Sequence, residues 1–167
     1  MVRGGTRIGW PIAVAGMLVL LSAAIHFVLG GIGLYEALVL GDGEVFLPTA
    51  YVVAGILALS LVWASASGWI APVPAYVTAT VLMLFYVVAY VDWHVLGYAE
   101  SVLPFEGVEH DHGHDDHGSG HGHGSHEEST IESLVDHLLD DPFALVSKTA
   151  ELIAAVILGV LAIVNRG

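Results

Sequence analysis

Four long apolar stretches alternate with short polar turns and one long polar segment along this chain. They run over about residues 11–34, 46–63, 73–91 and 142–164. About 20 helical residues cross a hydrocarbon core, and each stretch reaches or approaches that length. Apolar residues fill the stretches without the strict alternation of a barrel strand. A spanning segment must also satisfy its own backbone polar groups in lipid, so the stretches predict helices. The expected fold is all-α, a bundle of four transmembrane helices.

The few basic residues predict how this bundle sits. Arg3 and Arg7 precede the first stretch and Arg166 follows the fourth, which places both termini in the cytoplasm. The turn over residues 65–72 is then internal, and residues 35–45 and 92–141 face outward. Trp10, Trp63 and Trp69 fall together at the inner interface, as an aromatic belt does. Lys148 is the discordant base, near the outer end of the fourth helix. The run from Pro11 to Leu34 exceeds the 7–15 residues of a signal-peptide core and no A-x-A site follows, so it reads as a retained helix. The two N-terminal arginines are not adjacent, which excludes a twin-arginine signal. The expected location is the cell membrane, with multiple passes and the lipid bilayer as a partner.

Composition sharpens this picture. Of the 167 residues, 56% are hydrophobic and 13% charged, with a mean hydropathy of +0.76. Soluble domains carry roughly 25% charged residues, and the apolar fraction is too high for a disordered chain. The net charge is nevertheless −13, from 17 acids and 4 bases. Twelve of those acids and none of the bases lie in residues 100–141, so that region carries −12 and the rest −1. Scarce lysine and abundant acid fit concentrated salt, where negative charge keeps a protein in solution, and the composition reads as halophilic and archaeal. With no basic patch to meet phosphates, nucleic acid is excluded as a partner. The absence of cysteine removes disulfides and thiolate ligands, so any metal site must draw on His, Asp or Glu.

Those ligands are concentrated in the polar segment. Residues 109–128 read EHDHGHDDHGSGHGHGSHEE, low-complexity sequence with nothing to bury, and residues 100–128 are expected to form a flexible outer loop. His110, His112, His114, His117, His121, His123 and His126 offer imidazoles, the commonest ligands for zinc, copper and nickel. Asp111, Asp115, Asp116, Glu127 and Glu128 add oxygen donors and a cation-attracting field. Neighbouring histidines are mostly spaced H-x-H and H-x₂-H; His117 and His121 are four apart, but in low-complexity sequence no helix preorganises that pair as a zinc site. They predict overlapping weak sites for a divalent transition metal (Zn, Ni, Cu or Co), with affinity lost below about pH 6 as the imidazoles protonate. The competing reading is a solvated halophilic spacer. The loop resembles the His-rich loops of zinc permeases and cation diffusion facilitators. That resemblance covers about twenty residues and implies metal capture; the paired His and Asp of those families' transport helices have no match here, so it does not extend to transport.

Residues 129–141 predict a short amphipathic helix. Ser129 and Glu132 have capping-box spacing, and Ile131, Leu134, Val135, Leu138 and Leu139 form one apolar stripe. Glu132, Asp136, His137 and Asp140 lie opposite, an acidic face that suits packing on the outer end of the bundle more than attraction to anionic lipid. Asp141 is then the N-cap of the fourth span, with Pro142 in its first position.

A second set of candidates lies within the spans, where ionisable groups are costly and therefore functional candidates. His26, Asp92, His94, Lys148 and Glu151 come from three helices and converge at similar depth in the outer half. Tyr90 and Tyr86 precede His94 by one and two turns, and Tyr51 and Thr49 are on the same side. Three readings compete: a polar lock between helices, a metal site fed by the loop, and a haem or quinone pocket with His26 and His94 as axial ligands. Ser22, His26 and Gly30 share one face of the first helix, and Gly30, Gly31 and Gly33 there, Ala54 and Ala58 on the second, and Ala155 and Gly159 on the fourth read as packing positions.

The segment AAIHFVLG, with His26 and Gly30, resembles a group of small four-helix haloarchaeal membrane proteins. The resemblance extends over all four spans in length and hydropathy; it implies the architecture and supplies no activity. The chain thus divides into a membrane domain over residues 1–99, the loop 100–128, the amphipathic helix 129–141 and a last span within 142–167. No catalytic constellation is present. The expected function is a non-enzymatic membrane protein that captures divalent metal and hands it to a partner, another membrane protein or a second copy of itself. The alternatives are a structural or accessory subunit and, third, a haem or quinone redox subunit.

Overall fold

The computed structural model describes residues 9–93, 134–135 and 138–166, all of its regular structure helical. The loop 100–128, with its seven histidines, lies outside these residues, as do His94 and most of the amphipathic segment. Of that segment, Leu134, Val135 and Leu138–Asp140 are helical. Leu134 and Leu138 are half-buried, while Val135 and Leu139 are exposed.

Among the described residues, four helices are long and apolar enough to cross a membrane, consistent with a multi-pass membrane protein. Helix α1 spans Trp10–Tyr35 and begins with Pro11 in its first turn, where the missing N–H is not needed. It runs past the expected end at residue 34 into a π-helical turn, Glu36–Leu40. Nothing in EALVL opposes helix, and the chain is released only at Gly41, whose φ is 72°. Helix α2 spans Phe46–Ala66, three residues beyond the expected end, and closes in a Schellman turn. The Trp69 N–H donates to the Ala64 carbonyl (2.9 Å) and the Gly68 N–H to that of Ser65 (3.2 Å). Gly68 takes the left-handed conformation, φ 77°, that this turn demands. Helix α3 spans Pro72–Val91. Helix α4 spans Pro142–Val164, with Asp141 Oδ1 accepting from the Phe143 and Ala144 N–H groups at 2.9 and 3.1 Å. This cap satisfies donors that would otherwise be orphaned at the helix start.

The helices are not equally engaged. Helix α1 packs extensively on both α2 and α4, and α3 packs on α4, whereas α2 and α3 barely meet. The order around the bundle is therefore α2–α1–α4–α3, with a loose seam between the first and last. The core is made of small side chains: Ala15, Val19 and Ala23 of α1, Ala58 of α2, Ala79 and Met83 of α3, and Ala154, Ala155, Leu158 and Ala162 of α4. Small residues let helix backbones approach, which is how association is driven where lipid is as apolar as the helix surface. Helices α1 and α2 approach closely at Gly30, where a Cβ atom would stand 2.7 Å from both the Pro48 carbonyl oxygen and Val52 Cγ2. Gly31, one position on, faces open space. The large apolar residues point away from the core: Met17, Phe85, Val156 and Ile163 are all more than 60% exposed, the arrangement expected of helices bounded by lipid rather than water. Trp10, Trp63 and Trp69 are exposed at one end of the bundle, the latter two in edge-to-face contact at 4.7 Å.

Candidate functional site

A polar centre lies toward the opposite end. Its hub is Glu151 of α4, whose side chain is wholly buried. Oε1 accepts hydrogen bonds from Ser22 Oγ of α1 (2.7 Å) and Ser147 Oγ of α4 (2.8 Å). Oε2 accepts from Lys148 Nζ at 2.8 Å. Ser147, Lys148 and Glu151 share a face of α4 because they are separated by three and four positions. A carboxylate removed from water costs several kcal/mol unless its lone pairs are met; here a cation and two hydroxyls meet them.

His26, one turn after Ser22 on α1, extends the network. Its Nδ1 lies 2.8 Å from the Ser22 carbonyl oxygen and 3.9 Å from Glu151 Oε1. A carbonyl only accepts, so Nδ1 carries a proton, and in the neutral imidazole Nε2 keeps a lone pair. The imidazole is flanked by two tyrosine rings, Tyr51 of α2 at 5.5 Å and Tyr86 of α3 at 5.0 Å. The Tyr86 hydroxyl donates to the Ala54 carbonyl of α2 at 2.6 Å and bridges the loose seam. Lys148 Nζ also reaches the Tyr86 carbonyl at 3.3 Å and stands 5.5 Å from the centre of the Tyr90 ring. All four helices thus contribute to one centre.

Beside it, a cleft of about 440 Å³ opens between α2 and α3. Phe46, Ala50 and Tyr51 form one wall, Phe85, Ala89 and Trp93 the other, and His26 and Lys148 lie at its floor. Phe46 and Trp93 stack at 6.3 Å. A smaller cleft of about 140 Å³ occupies the same seam near the other end, lined among others by Ile12, Leu61 and Leu158.

Of the five intramembrane candidates, the structure brings His26, Lys148 and Glu151 together. Asp92 lines the cleft, as His26 and Lys148 also do, and His94 lies outside the described residues. Thr49 turns its hydroxyl back to the Val45 carbonyl (2.7 Å) and takes no part. Ser147 was not singled out in the sequence, and Ser22 only for sharing a face with His26 and Gly30; both sit four residues before an ionisable partner, at His26 and Glu151. A hydroxyl one turn before a buried charge is the signal that identifies them. Chemically, the centre is a closed hydrogen-bonded lock. The Lys148 ammonium stands where a metal ion would approach Glu151, and among the described residues no group of three or more His, Asp or Glu converges.

No protein-family model matches the chain, and no curated protein or solved structure is found to be similar to it.

Proposed function

We propose that this is a non-enzymatic, multi-pass membrane protein that captures divalent transition metal outside the cell through His110, His112, His114, His117, His121, His123 and His126, and passes it to a partner. The observation that carries this reading is the density of ligands: seven imidazoles between residues 110 and 126, interleaved with carboxylates and free of any base. Two features of the bundle support it. The ionisable groups at the polar centre are already matched to one another, which leaves the polar segment as the place for a cation. The segment is also tethered between Trp93 and Asp141, at the end of the bundle that holds the centre. The positive-inside pattern puts that end outside.

Calorimetric titration of the purified protein with zinc, nickel and copper, with elemental analysis, tests the reading. Binding is expected at neutral pH in high salt, to be lost below about pH 6, and to disappear when residues 109–128 are deleted. The absence of any metal-dependent signal refutes it, and retention of metal by the deleted protein moves the site elsewhere. The closed hydrogen bonding of the polar centre favours one other reading, a structural or accessory subunit with the loop as a solvated spacer. Unchanged growth under metal limitation after replacement of all seven histidines supports that alternative; a growth defect removes it.

A further inference from the structure

The cleft between α2 and α3 combines an apolar bore with polar atoms that the lock does not use. His26 is 4% exposed, and its Nδ1 is committed to the Ser22 carbonyl. Among the described residues nothing hydrogen-bonds to Nε2, yet no fully enclosed polar atom lacks a partner, so Nε2 opens onto the cleft that His26 lines. It presents a lone pair to a donor. The Tyr51 hydroxyl, on the same floor, also has no hydrogen-bond partner among the described residues, and presents a donor as well as an acceptor. The volume falls in the range of roughly 300–1,000 Å³ typical of small-molecule sites, which pair apolar walls with a few placed polar groups.

Charge and shape narrow the class of ligand. The Lys148 ammonium is answered by Glu151, so the surroundings do not favour an anionic head such as a phosphate or a fatty carboxylate. Phe46, Phe85 and Trp93 offer aromatic faces and edges that suit a flat ring. The seam where α2 and α3 barely meet gives an apolar tail a way out toward lipid. We infer that this cleft binds a lipid-soluble hydroquinone, one ring hydroxyl donating to His26 Nε2 and the Tyr51 hydroxyl donating to a ring oxygen, with the tail leaving between α2 and α3. The site draws on no residue of the polar segment, so this inference stands or falls independently of metal capture.

The test is calorimetric titration of the full chain in detergent, under argon, with a benzene-1,4-diol carrying a ten-carbon alkyl tail. One saturable site per chain is expected. Methylating both hydroxyls of the probe removes its donors without touching the protein, and is expected to weaken binding at least about tenfold, since it leaves Nε2 facing an apolar group. Tyr51→Phe is expected to weaken the diol about three- to tenfold. Ala89→Phe fills the bore from an exposed position and is expected to abolish saturable binding while the thermal transition stays in place. No saturable binding overturns the proposal. So does equal binding of decanol or of the dimethylated probe, tighter binding of decyl phosphate, or binding that emerges only when residues 109–128 are deleted, which makes the chain itself the occupant.

Discussion

Replacing Lys148 by methionine removes the only cation that touches Glu151 among the described residues. At 2.8 Å and an effective dielectric near 20, the lost attraction is about 6 kcal/mol. The carboxylate remains wholly enclosed with only Ser22 and Ser147 as donors, and its desolvation is no longer offset. The net loss expected for breaking a buried pair in this way is about 3–5 kcal/mol. Glu151→Leu is expected to cost less, about 2 kcal/mol, because the long lysine stem can carry its ammonium toward the bundle end. The double substitution removes both charges and frees both serines to bond back to their own helices; it is expected to lie within about 1 kcal/mol of the parent. The assay is a double-mutant cycle on reversible unfolding in mixed micelles, followed by loss of helical circular dichroism. A double variant as unstable as the sum of the two singles refutes the lock, since two independent losses add and two halves of one pair do not.

Four smaller perturbations probe the surrounding structure in the same unfolding assay unless another is named. Gly30→Ala drives a Cβ to within 2.7 Å of the Pro48 carbonyl and is expected to cost about 1–3 kcal/mol, whereas Gly31→Ala, facing open space, is expected to be neutral; equal effects exclude close packing at Gly30. Asp141→Ala removes the acceptor for two helix-start N–H groups and is expected to cost about 1 kcal/mol. Tyr86→Phe deletes the 2.6 Å bond to the Ala54 carbonyl at an expected cost of about 1 kcal/mol. It is also expected to widen the distance between spin labels placed at the exposed positions 50 and 89, and an unchanged distance refutes the role of Tyr86 as the bridge across the seam.

The helices were readable because a membrane imposes one demand, a continuous apolar run, that each span meets without ambiguity. Their ends were less readable. Helix α1 continues beyond residue 34 because Glu36–Leu40 carries no breaker, and α2 ends where Gly68 supplies a left-handed turn, a signal that hydropathy does not register. The start of α4 was legible down to the residue, since Asp141 followed by Pro142 states both the cap and the first turn. Helix order was not legible. Apolar residues surround every span, so nothing in the pattern says that α2 and α3, joined by a short turn, would be the pair that barely packs. The polar centre was legible as a set of depths, which put His26, Lys148 and Glu151 on one level. Depth alone gives no azimuth, so it could not show that Ser22 and Ser147 turn their hydroxyls onto Glu151.

The lock also explains how the charge of the chain is distributed. A buried carboxylate with no counterion would attract cations into the bundle; Lys148 answers it at 2.8 Å, and the described polar centre is left without net charge while Nδ1 of His26 serves a carbonyl. Twelve units of the net −13 then belong to residues 100–141, the same stretch that holds eight of the ten histidines. Two kinds of chemistry are thereby kept apart. The polar segment offers charge and imidazoles to a hydrated cation, whereas the cleft between α2 and α3 offers a lone pair, a hydroxyl and aromatic walls to a neutral ring. Opening the lock by Lys148→Met leaves the Glu151 carboxylate unanswered beside that cleft, so the cleft is expected to lose its preference for neutral ligands, while metal titration of residues 109–128 has no reason to change.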